Sequence, residues 1–221
     1  CRTAPMSFRY RKADGMDKVV FLDRHGTINE EVHYLHRPED LRILPGVAEG
    51  IARLRRAGFR IVVVTNQAGV ARGYYGPEDV ERLHACMNRQ LEAAGAKIEE
   101  FYYCPHHPEH GIGAYKTACR CRKPGTGMFE MAQKKAPVDK SRSYMIGDRE
   151  LDMKAGRNFG VGCVLVGTGY GTEELEQAKR EGREPFYDYY AENFAQAADY
   201  ILRREENRTE RETKTIESDK T

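Results

Sequence analysis

Two carboxylates in this sequence stand where apolar stretches end. Asp23 follows residues 18–22, a short run rich in β-branched side chains that is typical of a buried parallel strand. In an open α/β sheet, ligands bind beyond the carboxyl ends of the strands. A carboxylate there can attack phosphorus to form an aspartyl-phosphate, and it can also ligate a hard cation. Asp23 is therefore the first candidate nucleophile, although an Asp in this position can also simply cap the turn at Gly26.

Polar groups follow the other predicted strands as well. One apolar run ends in Thr65 and Asn66, and another ends at Asp148, while Lys123 lies just before a predicted helix. Because the carboxyl ends of parallel strands meet at one edge of a sheet, we expect these groups to converge on Asp23. Together they supply a nucleophile, donors for phosphoryl oxygens, an acidic cation site and a compensating positive charge at a helix N-terminus. The set predicts phosphoryl transfer.

A cysteine-rich loop gives the second chemical signal. Three cysteines and several histidines lie within residues 104–127, a segment with no helix or strand pattern. The predicted ligands of a closed, structural Zn²⁺ site are Cys104, His106, Cys119 and Cys121. His107 and His110 compete for the nitrogen position, and a set of reduced cysteines without metal is the alternative. Cys86 lies in a helical pattern beside a methionine and is interpreted as a core thiol.

The elements that would position these groups alternate between strand and helix. Strands are predicted at 18–22, 60–65, 98–103, 143–146 and 162–166, with an edge strand at 187–190. Helices are predicted at 45–57, 77–94, 128–135, 151–158, 173–183 and 194–203. This order indicates an α/β fold with a Rossmann-like parallel sheet, right-handed crossovers and helices on its faces.

Composition limits the class of protein. The chain has 221 residues, of which 40% are hydrophobic, and this suits one domain over residues 16–203. Residues 1–15 are interpreted as a leader or extension and residues 204–221 as a charged, disordered tail. A net charge of +2 favours neither nucleic acid nor an anionic membrane as partner. No apolar run has the roughly 20 residues of a membrane span, and no signal peptide is visible, so we expect a cytoplasmic protein.

Four segments together resemble the haloacid dehalogenase (HAD) superfamily of aspartyl phosphatases. They are Phe-Leu-Asp-Arg-His-Gly-Thr-Ile-Asn at 21–29, Thr-Asn-Gln-Ala-Gly-Val-Ala-Arg-Gly at 65–73, Cys-Arg-Lys-Pro at 121–124 and Gly-Asp at 147–148. The motifs are similar to those of the branch that contains heptose-1,7-bisphosphate phosphatase and histidinol phosphatase. This resemblance implies an HAD-like fold without a large cap domain.

The resemblance also implies roles for individual residues. Asp23 would be the nucleophile, and Mg²⁺ would be bound by Asp23, the backbone carbonyl of His25 and Asp148. The residues expected to hold the transferring phosphate are Thr65, Asn66 and Lys123, and those expected to grip a remote phosphate are Arg122 and Arg149. Asp152 either supports the metal site or balances a helix dipole.

His25 departs from the pattern of the superfamily, which has a second aspartate two positions after the nucleophile as the acid and base. An imidazole can perform both tasks, but it is bulkier and its cation is disfavoured beside Mg²⁺. We therefore expect a monomeric, Mg²⁺-dependent enzyme that slowly removes the C7 phosphate of a heptose 1,7-bisphosphate through an aspartyl-phosphate. The alternatives are a histidinol phosphatase and an impaired pseudo-enzyme that binds a sugar phosphate.

Overall fold

One sheet organises the molecule. The computed structural model describes residues 2–3 and 15–218. Its strands are Arg2–Thr3 (β1), Val19–Leu22 (β2), Arg60–Asn66 (β3), Glu100–Cys104 (β4), Tyr144–Gly147 (β5), Gly162–Val166 (β6) and Tyr189–Ala191 (β7). The order across the sheet is β1-β4-β3-β2-β5-β6-β7, and all pairs are parallel except the antiparallel pair of β1 with β4. The predicted α/β class with a Rossmann-like parallel sheet is confirmed.

Helices cover both faces of this sheet. They are Val47–Arg56 (α1), Ala68–Ala71 (α2), Pro77–Glu92 (α3), Gly127–Lys135 (α4), Glu150–Phe159 (α5), Gly171–Arg180 (α6) and Phe194–Ser218 (α7). The central strand β2 is fully buried because it has neighbours on both edges and helices on both faces. Its Val20 and Leu22 contribute to one apolar core, and Val19 and Phe21 contribute to the other. The β-branched run seen in the sequence therefore lies at the centre of the protein.

The position of β2 explains where the site forms. In the order across the sheet, β3 lies on one side of β2 and β5 lies on the other. The chain therefore leads away from β2 in both directions, and strand order reverses at β2. Asp23 follows β2 directly, Asn66 ends β3 and Asp148 follows β5. Residues 23–46, between β2 and α1, contain the short 3-10 turn Pro38–Asp40 rather than a separate cap domain. The sheet edge above β2 is the place where a ligand is expected in this topology.

The C-terminal segment differs from its prediction. Residues 204–221 were expected to be a disordered tail, whereas α7 continues to Ser218. Ile201 in the core anchors the helix, and Glu205 forms ion pairs with both Lys18 and Arg142. These contacts lie 187 and 63 positions apart in sequence, and for that reason local composition did not reveal them. Residues 219–221 lie outside the described part of the chain.

The predicted leader lies mostly outside the described part of the chain as well. Residues 2–3 form β1, and residue 15 begins the continuous described region. Residues 1 and 4–14 are not described. Among the described helices, none combines the length and apolar character needed to cross a membrane.

Candidate active site

A cavity opens at the carboxyl ends of β2, β3 and β5. It encloses about 220 Å³. Its wall contains every residue for which a catalytic, phosphate-binding or magnesium-binding role was predicted, namely Asp23, His25, Thr65, Asn66, Arg122, Lys123, Asp148 and Arg149. The predicted convergence of these side chains is therefore observed.

Lys123 bridges two carboxylates inside this cavity. Its Nζ lies 2.5 Å from Oδ1 of Asp23 and 2.6 Å from Oδ1 of Asp152. Burial acts to lower the pKa of Lys123, but the negative charges of Asp152 and then Asp23 outweigh it and raise the pKa. The lysine is thus a fixed cation beside the candidate nucleophile. There it can stabilise the negative charge of a phosphoryl group that is transferred to that residue.

Asn66 positions the lysine rather than standing free. Its Oδ1 accepts a hydrogen bond from the backbone N–H of Lys123 at 3.0 Å, and its Nδ2 donates to the carbonyl oxygen of Lys123 at 3.3 Å. Thr65 is held differently, because its Oγ1 accepts a hydrogen bond from Gln67 Nε2 at 3.0 Å. The hydroxyl hydrogen of Thr65 can therefore point at an incoming phosphate oxygen.

Three carboxylates form a buried acidic group. One oxygen from each of Asp23, Asp148 and Asp152 lies within 4.8 Å of the others. Burial, followed by repulsion from Asp152 and Asp23, raises the pKa of Asp148 to about 8, and burial raises the pKa of Asp152 to about 6. Such crowding of like charges is unfavourable without a cation, so these residues fit a hard divalent metal. Asp152, for which two readings were open, contacts Lys123 and lies in this group.

Glycines allow the carboxylates to come this close to the backbone. At Gly26, where φ is +70°, a Cβ atom would lie 2.1 Å from Oδ2 of Asp148. At Gly169 a Cβ atom would lie 2.2 Å from the same oxygen. The turn after Asp23 and the loop after β6 therefore pack directly against Asp148, and any side chain at either glycine would displace it.

His25 occupies the position of the second aspartate and is tied to Arg24. The fully buried guanidinium of Arg24 contacts Nε2 of His25 through Nη2 and lies 3.1 Å from Nε2 of His84 through Nη1. Since a guanidinium can only donate, Nε2 of His25 must accept, and the ring proton must be on Nδ1. The Nδ1 atom is buried and has no hydrogen-bond partner in the described structure.

The same surroundings keep His25 neutral. Burial, and then the charges of Arg24, His84 and Lys123, hold the pKa of His25 well below its usual value. A neutral imidazole with an occupied Nε2 can donate a hydrogen bond from Nδ1, but it has no labile proton of the kind an imidazolium would supply. The expectation that His25 could serve as both acid and base is thus weakened by its hydrogen bonds.

The cysteine-rich loop brings three of its four predicted ligands together. One ligand atom from each of Cys104, His106 and Cys119 lies within 4.8 Å of the others. Two sulfurs and an imidazole nitrogen suit Zn²⁺. Cys121 is buried but is disulfide-bonded in this structure, so it is not part of the group. The competitor His107 lies outside this group, and its Nδ1 accepts the backbone N–H groups of residues 109 and 110 at 3.2 and 3.0 Å.

This loop is connected to the cavity through Arg122. Nη1 of Arg122 donates to the carbonyl oxygen of His106 at 3.2 Å. Burial lowers the pKa of Arg122, with the neighbouring Cys104 acting in the opposite direction. A metal held by His106 would therefore also fix the position of an arginine in the cavity wall.

Some residues of the cavity were missed by sequence reasoning. Glu31, Tyr34, Gln67 and Tyr75 line the wall, and Gln67 Oε1 accepts hydrogen bonds from Arg24 Nη2 at 3.1 Å and from the Tyr75 hydroxyl at 3.0 Å. Gln67 lies within the motif at 65–73, and membership of that motif could have identified it as a residue of the site. Glu31 lies in an irregular segment, and no pattern of apolar residues marks it.

Comparisons with known proteins agree with this geometry. The sequence model of the HAD-hydrolase-like family matches residues 120–197. A D-glycero-D-manno-heptose-1,7-bisphosphate 7-phosphatase of Thermosynechococcus vestitus is 42% identical over 187 residues, covering 83% of this chain and 94% of that protein. A D-glycero-β-D-manno-heptose-1,7-bisphosphate 7-phosphatase of Vibrio cholerae is 44% identical over 161 residues, covering 72% and 87%.

A solved structure gives the same picture. The D,D-heptose 1,7-bisphosphate phosphatase of B. bronchiseptica, determined with magnesium and phosphate, superposes with a TM-score of 0.74 at 31% identity. The alignment covers 85% of this chain and 99% of that one.

Proposed function

This chain belongs to the HAD-type heptose-bisphosphate phosphatases, and from that premise we propose that it hydrolyses the C7 phosphate of D-glycero-D-manno-heptose 1,7-bisphosphate. The observation that carries the proposal is the convergence of Asp23, Lys123 and Asp148 in one cavity whose wall also contains two arginines. A nucleophile, a buried cation and a metal-binding carboxylate at one sheet edge are the parts that phosphoryl transfer requires.

Asp23 performs the displacement in this proposal. One carboxylate oxygen forms a bond to phosphorus while the bond from phosphorus to the sugar oxygen breaks, and the released alkoxide takes up a proton. Water then attacks the aspartyl-phosphate, which restores the carboxylate and releases inorganic phosphate. Lys123 and the hydroxyl of Thr65 are placed to stabilise the phosphoryl oxygens, and Asn66 keeps Lys123 in position.

The related structure from B. bronchiseptica was determined as a complex with magnesium and phosphate. In this chain Asp23, Asp148 and the backbone carbonyl of His25 would hold Mg²⁺, with Asp152 beside them. When bound, the cation neutralises charge on the phosphoryl oxygens. Its binding would also offset the burial, and then the repulsion from Asp152 and Asp23, that raise the pKa of Asp148.

The cysteine-rich loop is proposed to hold one structural Zn²⁺. The ligands are Cys104, His106 and Cys119, with Cys121 as the fourth once its sulfur is a thiolate. With all four positions filled by the protein, this ion has no open site for water and takes no part in the chemistry directly. It would act by fixing Arg122, which is bound to the His106 carbonyl.

We favour a sugar bisphosphate over histidinol phosphate as the substrate of this protein. Both relatives described above carry heptose-bisphosphate names, and Arg122 and Arg149 give the cavity wall two cations beyond Lys123 for a second phosphate. The neutral His25 with its occupied Nε2 is the one feature described above that would suit a pseudo-enzyme, but the nucleophile, the lysine and the acidic group are all in place and favour an active enzyme. A monomeric state and a cytoplasmic location stay predictions.

The test is phosphate release from heptose 1,7-bisphosphate and from histidinol phosphate, with and without Mg²⁺. We expect release from the bisphosphate only, complete loss with EDTA, and recovery when Mg²⁺ is restored. Asp23→Asn should be inactive under all conditions, because an amide cannot form the phosphoenzyme. Faster release from histidinol phosphate, or full activity in metal-free buffer, would contradict the proposal.

A further inference from the structure

Arg149 is held in the cavity wall by an aromatic ring. Its guanidinium carbon lies 3.8 Å from the centre of the Tyr170 ring. Within residues 15–218, its side chain makes no ion pair and no hydrogen bond with another group. A guanidinium so close to a ring centre lies over its face, and this contact is attractive because the face is electron-rich.

The position of Arg149 in the fold places this contact at the candidate active site. The residue follows Asp148 directly and forms the N-cap of α5, and its backbone N–H donates to Oδ2 of Asp152 at 3.2 Å. The guanidinium lines the cavity, and its charge acts on both Glu31 and Asp148. Arg149 is thus a cation at the site, with its main chain fixed and its side chain held by Tyr170.

A ring suits this task better than a carboxylate would. An Asp or Glu partner would occupy two of the N–H donors of the guanidinium and neutralise its charge. A contact with a ring face takes up none of the N–H donors, and these are the groups that match phosphate oxygens. The arginine can therefore be ordered before the substrate arrives, without competition for its donors.

Tyr170 is itself fixed by contacts that do not involve its ring. Its backbone N–H donates to Oδ2 of Asp148 at 2.9 Å. Two residues earlier, the hydroxyl of Thr168 donates to the carbonyl oxygen of Gly26 at 2.5 Å. The loop that carries the ring is therefore anchored to the nucleophile turn and to the acidic group.

We propose that Tyr170 is a positioning residue that holds Arg149 ready to bind the remote phosphate of a sugar bisphosphate. The inference rests on the proposed function, since it concerns the same cavity and the same class of substrate. Tyr170 is not among the residues that line the cavity, so its effect is exerted through Arg149. It determines specificity by ordering the arginine, and it separates the bisphosphate from monophosphates.

Substitutions at residue 170 can remove the ring and leave the backbone hydrogen bond to Asp148 in place. Tyr170→Phe keeps the aromatic face, and Tyr170→Leu keeps bulk without it. A cation–π contact of about 0.5–2 kcal/mol corresponds to a factor of about 2–30 in affinity. We expect Tyr170→Leu to raise KM for heptose 1,7-bisphosphate by that factor, while kcat, the Mg²⁺ activation constant and KM for a monophosphate stay unchanged. Tyr170→Phe should stay within about 2-fold of the wild type.

A double-mutant cycle separates positioning from a general structural effect. In an Arg149→Ala background, Tyr170→Leu should cause no further increase in KM. An equal increase in both backgrounds, no increase in either, or an effect of Tyr170→Phe as large as that of Tyr170→Leu would overturn the proposal. A thermal melt of each variant shows whether the loop still folds.

A binding measurement keeps this result separate from the proposed function. Calorimetry with fructose 1,6-bisphosphate, as a general sugar bisphosphate, is carried out on the wild type and on the same variants. A loss of affinity in Tyr170→Leu that vanishes in the Arg149→Ala background supports the positioning role, even if heptose bisphosphate is not hydrolysed. Equal affinity of wild type and Tyr170→Leu would overturn it, even if heptose bisphosphate is hydrolysed.

Discussion

His25 shows how a neighbouring residue can limit a catalytic position. The ring lies in the cavity and close to Lys123, so its location does not prevent a role in proton transfer. Its limitation comes from Arg24, which occupies Nε2 and helps to keep the ring neutral. In the proposed reaction, the leaving sugar oxygen and the attacking water would then lack an efficient proton donor and acceptor.

Replacing His25 by aspartate should therefore speed turnover. A positioned acid or base contributes roughly 10²–10⁴ in rate, and we expect His25→Asp to raise kcat by at least ~10-fold. The aspartyl-phosphate should also be shorter-lived in this variant, as measured by acid-quench trapping of labelled phosphate. His33→Asp, at an exposed position, is the matched control and should leave kcat unchanged. An unchanged or lower kcat in His25→Asp would show that histidine is a competent substitute.

Among individual residues, the sequence predicted the polar groups that end strands. It did not predict the contacts made by residues that are far apart in the chain. Asp23, Thr65 and Asp148 were placed correctly because strand ends must meet at one edge of a parallel sheet. The burial of Arg24 was not predicted, although the residue lies within the motif at 21–29. Its burial depends on His84, sixty positions away, which only the folded chain brings into contact.

Among the elements, the cysteine-rich loop connects the candidate zinc group to the wall of the cavity. The carbonyl oxygen of His106 lies between the candidate zinc group and the Arg122 guanidinium. Loss of the ion should therefore weaken the binding of the remote phosphate more than it disturbs the nucleophile, which is held by β2 and by Lys123.

Purification under reducing conditions, without added metal, should yield close to one Zn²⁺ per chain. Cys119→Ser should lower that stoichiometry, measured by elemental analysis, and should raise KM for the bisphosphate more than it lowers kcat. Cys86→Ser, in α3 and outside the cluster, is the control and should retain the metal. A folded wild-type protein with almost no zinc would show that the ligand assignment is wrong.

The bounds of the elements were predicted to within a few residues where apolar periodicity was strong. Helix α5 was expected at 151–158 and spans Glu150–Phe159, and α6 was expected at 173–183 and spans Gly171–Arg180. The largest difference is α7, whose later turns have few apolar residues. Their helical conformation continues an anchored helix and is supported by Glu205, a contribution that periodicity does not record.

For the molecule as a whole, a buried histidine makes stability depend on pH. His84 stacks on Phe101 with ring centres 4.4 Å apart, and burial followed by the charge of Arg24 holds its pKa well below 6.5. Below pH 6.5 the unfolded chain takes up a proton at this residue that the folded chain does not. The stability that the neutral ring allows is therefore fully present above pH 6.5 and is lost as the pH falls.

The magnitude follows from proton linkage. Between pH 7.5 and 5.5, one such histidine lowers the free energy of unfolding by an amount on the order of 1 kcal/mol. His84→Gln, whose amide oxygen can still accept from Arg24, should remove about that much of the pH-dependent loss. Urea unfolding at both pH values gives the measurement, and His33→Gln at an exposed position is the control. The same pH slope in His84→Gln and wild type would contradict the assignment.

The ion pair of Lys18 with Glu205 has a consequence for how the protein is made. Lys18 leads into the central strand and is synthesised early, whereas Glu205 lies 187 positions later. Helix α7 also packs closely on α1, where a Cβ at Gly50 would lie 2.7 Å from the Phe194 ring. A nascent chain that has not yet released α7 from the ribosome must therefore leave one side of its core open to water. Helix α7 closes this side of the core, so the growing chain exposes apolar surface, which favours aggregation, until α7 has emerged.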